Sequence, residues 1–418
     1  MRFCDITIAY NRESGGIRTY IDQKRQYLRE KTDFEHLLII PGESDAIERS
    51  DRAVTISIGS PLLPGQKTYR FFVRPDKILA VLQEWCPDIV ELGSYYLAPW
   101  AAWGYRQRLQ KTGRDCIIGC YFHTDVADAY VNAPLRSLSK HWVEPHSETL
   151  ADLANQLAHI AEIGAERYIA AVFGLCDLAI APSPAQAERL AEYGIPEVEV
   201  VPLGVDVGLF NPSRRSQSLR LANGAKPESL VLLYVGRLSN EKRVTLLVEA
   251  LKRLPQALKP VLWIVGQGPL RDELTDLATR TPSLRVLPYC RDRKELASLM
   301  ASADIYVTAG PHETFGLSVI EAQASGAPVV GVRAGALIDR VSEGLGYLGP
   351  LDDAQAIAEN IERAATEREA IGRRARRHVE THFAWDRTFS KLMASYRTKI
   401  RGLSMPIPSL SHEASLKG

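Results

Sequence analysis

A repeated alternation runs through the chain and limits the folds open to it. Short runs of consecutive apolar, β-rich residues are separated by segments long enough for a helix. In the first half the runs fall at 3–9, 37–40, 89–92, 117–122, 178–181 and 198–201, and in the second at 231–235, 261–265, 284–287, 305–308 and 329–332. Runs that stay apolar at successive positions mark strands buried on both faces of a parallel sheet. Strands joined through helix-length segments make βαβ units with right-handed crossovers. Between the first two runs of the second half, Val244, Leu247, Val248 and Leu251 follow the i, i+3, i+4, i+7 rule and predict a helix that starts near Ser239.

A chain of 418 residues predicts two or three domains, each large enough for a core. The break between the two sets of strands falls in Pro202-Leu-Gly-Val-Asp-Val-Gly-Leu-Phe-Asn-Pro212, and the polar, basic stretch 213–227 reads as a surface loop. The expected architecture is α/β, with a Rossmann-like domain over 1–205 and a second over 206–385, facing each other across a cleft. A helix over 386–401 is long enough to pack back on the first domain, and 402–418 reads as a flexible tail. Ligands of such open sheets bind outside the carboxyl ends of the strands, so the loops that follow strands are where chemistry is to be sought.

Composition closes several other routes. Charged residues make up 24% and apolar residues 45% of the chain, as in ordinary globular proteins, and a net charge of +1 gives no global field for nucleic acid. The six cysteines contain no Cys-x-x-Cys pair and form no disulfide framework. Cys116 and Cys120, with His123 nearby, have the residue types of a metal site, but two cysteines in an apolar strand read better as buried thiols. No stretch approaches the roughly 20 apolar residues of a membrane span. Charges at Arg2, Asp5 and Arg12 leave no signal-peptide core. A cytoplasmic protein is expected, with peripheral contact at the inner face of a membrane left open.

Four strand-end loops carry the candidate chemistry. Glu313-Thr-Phe-Gly-Leu-Ser-Val-Ile-Glu321 follows the run 305–308 and sets two carboxylates eight positions apart around a helix opening at Gly316 and Leu317. Unpaired amides at a helix opening suit an anion, phosphate above all. Glu321, about one turn inside, can accept from the vicinal hydroxyls of a ribose; two acids favoured by the helix dipole would look the same. Gly236-Arg237-Leu-Ser-Asn-Glu-Lys242 follows 231–235, and its two cations can converge on one anion or belong to a solvated loop. It is not a P-loop.

Asn11-Arg-Glu-Ser-Gly15-Gly16 follows the first run and allows close backbone approach, as many plain turns do, without the Gly-x-Gly-x-x-Gly of a dinucleotide site. His123, in Phe122-His-Thr-Asp125, stands at a strand's carboxyl end, as a site residue or as a hydrogen-bonded structural histidine; His312 is a further candidate. The chain has no Asp-x-Asp. Positive charge for a leaving diphosphate would then come from Arg237, Lys242 and the helix opening, with no metal and no other cofactor.

Taken in order, the Gly15-Gly16 loop, His123, the Pro202-Leu-Gly-Val-Asp206 linker, Gly236-Arg237…Lys242 and Glu313…Glu321 resemble the retaining GT-B glycosyltransferases that carry the E-x7-E signature, the glycosyl transferases group 1 type. The likeness spans nearly the whole chain. It implies transfer of a hexose from a nucleotide sugar with retention, the donor in the second domain and the acceptor, a sugar or lipid-linked sugar, on the first. It implies that Arg237 and Lys242 hold the diphosphate with the amides of Gly316 and Leu317, that Glu321 holds the ribose, and that Glu313 lies near the sugar hydroxyls. His123 and the Gly16 loop would reach the sugar and phosphate, Arg291 would lie near the base, and Gly15, Gly236 and Phe315 complete the donor set.

The donor is left between GDP-mannose, favoured by the look of 312–316, and a UDP-sugar of glucose type. No carboxylate nucleophile is evident, so the expected mechanism is front-face attack, the leaving phosphate accepting the acceptor's proton. One loop departs from the family pattern: Arg333-Ala-Gly335-Ala stands where a Gly-Gly followed by a Pro is usual, which puts that loop's phosphate contacts in question.

For the acceptor, Tyr69-Arg-Phe-Phe-Val-Arg-Pro75 and Tyr95, Tyr96, Trp100 and Trp103 can stack on sugars, sit at a lipid headgroup layer, or simply pack. Arg373-Arg-Ala-Arg-Arg377 reads as a solvated helix face. Two other functions compete: a catalytically inactive sugar-nucleotide-binding module, and a nicotinamide-dependent oxidoreductase.

Overall fold

Two sheets account for the apolar runs. The structure, a computed structural model, describes residues 1–11, 15–63, 69–123, 148–313 and 315–402. The first sheet holds β1 (Arg2–Ile6), β2 (Glu35–Gly42), β3 (Ala46–Ser50), β4 (Ala53–Gly59), β5 (Ile89–Leu92), β6 (Ile117–Tyr121), β7 (Leu178–Ala181) and β8 (Val198–Val200), in the order β3-β4-β2-β1-β5-β6-β7-β8. The second holds β9 (Leu230–Val235), β10 (Pro260–Val265), β11 (Leu284–Leu287), β12 (Ile305–Val307), β13 (Val329–Val332) and β14 (Gly346–Gly349), in the order β11-β10-β9-β12-β13-β14 and parallel throughout. These are two Rossmann-like sheets.

The segments between strands supply the helices. They are α1 (Gly16–Lys31), α2 (Pro75–Trp85), α3 (Ala98–Gln110), α4 (Glu148–Gly174), α5 (Pro184–Glu192), α6 (Gln217–Ala222), α7 (Val244–Arg253), α8 (Arg271–Arg280), α9 (Arg293–Ser302), α10 (Leu317–Ala324), α11 (Leu337–Arg340), α12 (Ala354–His382) and α13 (Trp385–Gly402). The chain divides into two compact units, one of Met1–Tyr121, Ala171–Ala179 and Lys391–Gly418, the other of Phe122–Ala170 and Ile180–Ser390. None of the described helices is long and apolar enough to cross a membrane. The tail expected over 402–418 lies, beyond Gly402, outside the described residues.

Helix α7 buries Val244, Leu247, Val248 and Leu251, the stripe its spacing predicts. It begins later than expected. A 3-10 turn over Asn240–Lys242 and a left-handed Arg243 (φ 49°) come first, so the chain changes direction before the helix starts. The hairpin β3–β4 adds a strand that the apolar runs do not announce. β3 is an exposed edge strand, antiparallel to β4, and its polar Ala-Ile-Glu-Arg-Ser shows no apolar run.

Two basic segments differ from expectation. The stretch 213–227 is not a plain surface loop: it holds a 3-10 turn and α6, whose Arg220 is buried, donating to Asp304 Oδ2 (3.0 Å), to the carbonyl of Ser302 (2.8 Å) and to that of Ser229 (2.6 Å). A buried guanidinium persists only with such partners. Within Arg373–Arg377, Arg376 is likewise no solvated charge. It donates to the carbonyls of Val207, Phe210 and Ala324 and so ties α12 to the interdomain linker and to α10.

The first unit is organised around a buried polar cluster. Lys24, on α1, is fully enclosed; its Nζ lies 2.8 Å from Asp5 Oδ1 on β1 and 2.6 Å from Glu91 Oε1 on β5. Its ammonium also sits over the rings of Phe3 (4.6 Å) and Tyr20 (4.4 Å). Tyr20 donates to Glu91 Oε1, and His36 Nε2 lies 2.7 Å from Asp5 Oδ2. From α13, Tyr396 donates to Glu91 Oε2 at 2.8 Å and meets Phe3 edge-on. The last helix thus packs on the first sheet, as its length predicts. Cys116 and Cys120 are buried in or beside β6. Tyr95 is core, donating to the carbonyl of Tyr121, whereas Trp100 and Trp103 on α3 are exposed against each other.

Candidate functional site

At the carboxyl end of β9 the chain turns through Gly236 and Arg237. Tyr234, on β9, donates to the carbonyl of Arg237 (2.9 Å), and Leu238 N bonds the carbonyl of Gln267 (2.9 Å), so the loop is held from β9 and from the loop after β10. The 3-10 turn that follows carries Lys242. Its Nζ donates to Glu313 Oε2 at 2.8 Å, joining residues 71 positions apart, and both side chains are about three-quarters buried. The two strand-end loops singled out in the sequence therefore converge.

Gly316 caps α10 in the left-handed conformation (φ 80°), which turns the loop that carries Glu313 sharply into the helix. The amides of Leu317 and Ser318 then open the helix without earlier helical carbonyls to bond. Phe315 is buried. Arg340 from α11 stacks over its ring at 4.2 Å, donates to its carbonyl (3.1 Å), and donates also to the carbonyl of Pro182 (3.1 Å). Arg340 fixes the backbone just before the helix opening.

The loop that departs from the family pattern is part of this arrangement. Ala336 N donates to the carbonyl of Glu313 (2.8 Å). Gly335 has φ 51°, and a Cβ there would lie 2.7 Å from the carbonyl oxygen of Pro311 and 2.8 Å from that of Glu313. The glycine that remains is the one the close approach requires. The loop supports Glu313 through its backbone.

Glu321 lies one turn inside α10 and is only 3% exposed. Arg293, the first residue of α9, donates to its Oε1 at 2.8 Å. Burial pushes the Glu321 carboxyl above its usual range, and the charge and hydrogen bond of Arg293 oppose that. Beneath the site, Tyr306 on β12 donates to the carbonyl of Val235 and pairs with Ser318 Oγ. Burial raises the phenols of Tyr306 and Tyr234, which stay neutral.

Arg237 and Arg291 are exposed at the ends of β9 and β11. The sequence points to Arg291, but the guanidinium that touches a site carboxylate is that of Arg293; the Arg-Asp-Arg spacing after β11 is the available signal. His123 is buried just past β6, and Thr124 and Asp125 of its motif lie outside the described residues. Gly15 caps α1 in the first unit and Gly16 begins it, with Thr19 N bonded to the carbonyl of Gly15 (3.1 Å). His312 is exposed beside Glu313. A Gly-x-Gly-x-x-Gly does occur, at Gly344 to Gly349, but it runs into β14 rather than from a strand into a helix, so it makes no dinucleotide loop. Among the described residues no three His, Cys, Asp or Glu side chains gather as for a metal ion.

Two cations, a helix opening and two carboxylates at the carboxyl end of one parallel sheet can bind a phosphorylated, polyhydroxylated ligand. Comparison with known proteins gives the family. The family described as Glycosyl transferases group 1 matches residues 216–378, and Glycosyltransferase Family 4 matches residues 14–209. A GDP-mannose-dependent alpha-(1-6)-phosphatidylinositol dimannoside mannosyltransferase of Mycobacterium tuberculosis is 29% identical over 404 residues, 94% of this chain and 96% of its own length. A GDP-mannose-dependent alpha-mannosyltransferase of the same species is 28% identical over 415 residues, 96% of this chain and 98% of its own. Among solved structures, sucrose-phosphate synthase from Thermosynechococcus elongatus superposes with a TM-score of 0.74 at 20% identity, over 96% of this chain and 100% of that one.

Proposed function

The chain belongs to the group 1 glycosyltransferases, of GT-B fold, and from that premise we propose that it moves mannose from GDP-mannose to a glycolipid or polysaccharide-precursor acceptor. Residues 1–205 are assigned to the acceptor and 206–385 to the donor. The observation that carries the reading is the convergence of Lys242 and Glu313 beside the helix that holds Glu321. The names of relatives matched along nearly their whole length support GDP-mannose over a UDP-sugar and a lipid-linked acceptor over a free sugar.

Lys242 takes the leaving diphosphate, assisted by Arg237 and the amides at Gly316 and Leu317, and Glu321 takes the ribose. Breaking the sugar–phosphate bond places charge on the diphosphate and oxocarbenium character on the sugar. Fixed cations and amides at the leaving group stabilise that charge without reorganising. Lys242 then leaves Glu313 for the phosphate, which frees Glu313 to accept from the sugar hydroxyls. His123 is assigned to the sugar as well. No residue of the site is placed as a nucleophile, and the leaving phosphate accepts the acceptor's proton on the same face.

The test is transfer from GDP-mannose, UDP-glucose and UDP-galactose to mannosylated phosphatidylinositol in detergent, followed by release of the nucleotide diphosphate and by the anomeric configuration of the product. GDP-mannose is expected to be the donor used, with an α-linked product. Turnover restricted to a UDP-sugar would overturn the donor assignment, and a β-linked product would overturn same-face transfer. Because Arg237 and Lys242 supply the leaving-group charge, excess EDTA is expected to leave the rate within about twofold. Complete loss on chelation, restored by a divalent cation, would contradict that.

A further inference from the structure

We propose that Arg293 is a positioning residue of the donor site, holding Glu321 as the carboxylate that accepts both vicinal hydroxyls of the donor's ribose; this rests on the placement of the donor nucleotide given above. A ribose offers two O–H donors. An ionised carboxylate meets both, whereas a protonated acid turns one of its own oxygens into a donor. Glu321 is nearly enclosed, an environment that favours the protonated acid. Arg293 is the cation against it, 28 positions away in sequence, on a helix whose first residue it is.

The contact uses one side of the carboxylate. Arg293 donates to Oε1 at 2.8 Å, and Oε2 takes no bond from any described residue. Arg293 is itself placed. Its guanidinium lies 4.8 Å from the ring centroid of Phe210, which is buried in the linker, and the carbonyl of Phe210 is bonded by Arg376. Asp206 Oδ1 accepts from Gly208 N and Leu209 N, turning the linker so that Phe210 follows. The linker motif noted in the sequence thus has a local task, which is to present the ring on which Arg293 rests.

The other charged groups of the site do not replace Arg293. Lys242 is bonded to Glu313, and Tyr306, the titratable group on the neighbouring strand, stays a neutral phenol. Removing Arg293 leaves burial unopposed, so Glu321 stays protonated to higher pH. Ribose recognition then weakens as pH falls.

The experiment is calorimetric titration, from pH 6 to 8.5, of GDP and its 2′,3′-dideoxy analogue into the wild-type protein, R293M and R293K. The wild type is expected to prefer GDP to the dideoxy form by about tenfold or more, with little change across this range, as befits hydrogen bonds to a charged acceptor. R293M is expected to bind GDP about tenfold more weakly at pH 7, to tighten as pH rises, and to show a smaller preference for the ribose hydroxyls at the acid end of the range than at the alkaline end. R293K is expected to restore part of that preference. R293M with the wild-type preference at every pH would overturn the proposal. If R293M does not fold, R293Q takes its place, with the same expected loss and the same contradicting result. A wild type that binds no GDP, and no UDP in a parallel titration, overturns the donor reading itself, an outcome distinct from loss confined to the variant.

Discussion

Lys242→Ala and Glu313→Ala are each expected to lower transfer by about two to three orders of magnitude, the usual cost of removing one preorganised group that stabilises transition-state charge. Neither change should unfold the protein. Each side chain keeps about a quarter of its surface in solvent, so the partner left behind can be hydrated rather than stranded as an enclosed charge. In the roles proposed above, the two losses arise differently. Lys242→Ala removes charge at the leaving diphosphate, so both nucleotide affinity and turnover fall. Glu313→Ala removes an acceptor for the sugar, so turnover falls while affinity for the bare nucleotide is kept or rises, because Lys242 is released from its ion pair. Steady-state rates, GDP titrations and melting curves on the same preparations check this. Wild-type rates in both variants would remove these residues from the site.

Lys24→Met is expected to lower the unfolding free energy by about 3–5 kcal/mol, the cost of removing one partner from a buried ionic cluster. The substitution keeps most of the volume, so the loss reports charge. Asp5 and Glu91 remain, enclosed on adjacent strands without their cation. The double variant Lys24→Met/Glu91→Gln is expected to recover part of the loss. Urea unfolding of the two variants is the check, and a single variant within about 0.5 kcal/mol of wild type would contradict it. The Tyr396 bond to Glu91 makes the docking of α13 depend on the same cluster.

Acid acts on this cluster in a defined direction. Burial, reinforced by Arg25 and Lys24, outweighs the pull of Asp5 and holds His36 down at about 4. The unfolded chain therefore takes up a proton, between its ordinary value near 6.5 and about 4, that the fold resists. Stability is complete above that window and falls as pH drops through it, by up to about 3 kcal/mol from His36 alone. Asp5 is enclosed, which would raise its carboxyl, but Lys24 and His36 prevail and hold it at about 2, so its contribution is lost below about pH 4. His36→Gln should flatten the upper part of this pH dependence of the melting temperature.

What can be read from the sequence and what cannot divide along a physical line. Strands enclosed on both faces carry their own signature, and 89–92, 178–181 and 329–332 are fully buried strands with those bounds. Strand-end loops are also legible, because a parallel sheet brings its carboxyl ends together; Lys242 and Glu313 meet although 71 positions separate them. The exposed edge strand β3 buries nothing and leaves no apolar run.

Charges are illegible wherever their partners are distant. Arg220 and Arg376 look solvated in local sequence and are enclosed by Asp304 and by backbone carbonyls far along the chain. Lys24 and Glu91 are an ordinary helix lysine and an isolated acid in a strand until the fold superimposes them. Arg293 belongs to the same class. Sequence places it and Arg291 together after β11, and only the fold separates them, by the bond of Arg293 to Glu321 and its packing on Phe210.

The most direct test of the donor-site assignment is calorimetric titration of GDP into the wild-type protein, Lys242→Ala and Glu321→Gln at neutral pH. Saturable one-to-one binding to the wild type, weakened about tenfold or more in each variant while their folds persist, is the predicted result. Equal binding by all three would place the nucleotide elsewhere and contradict the assignment.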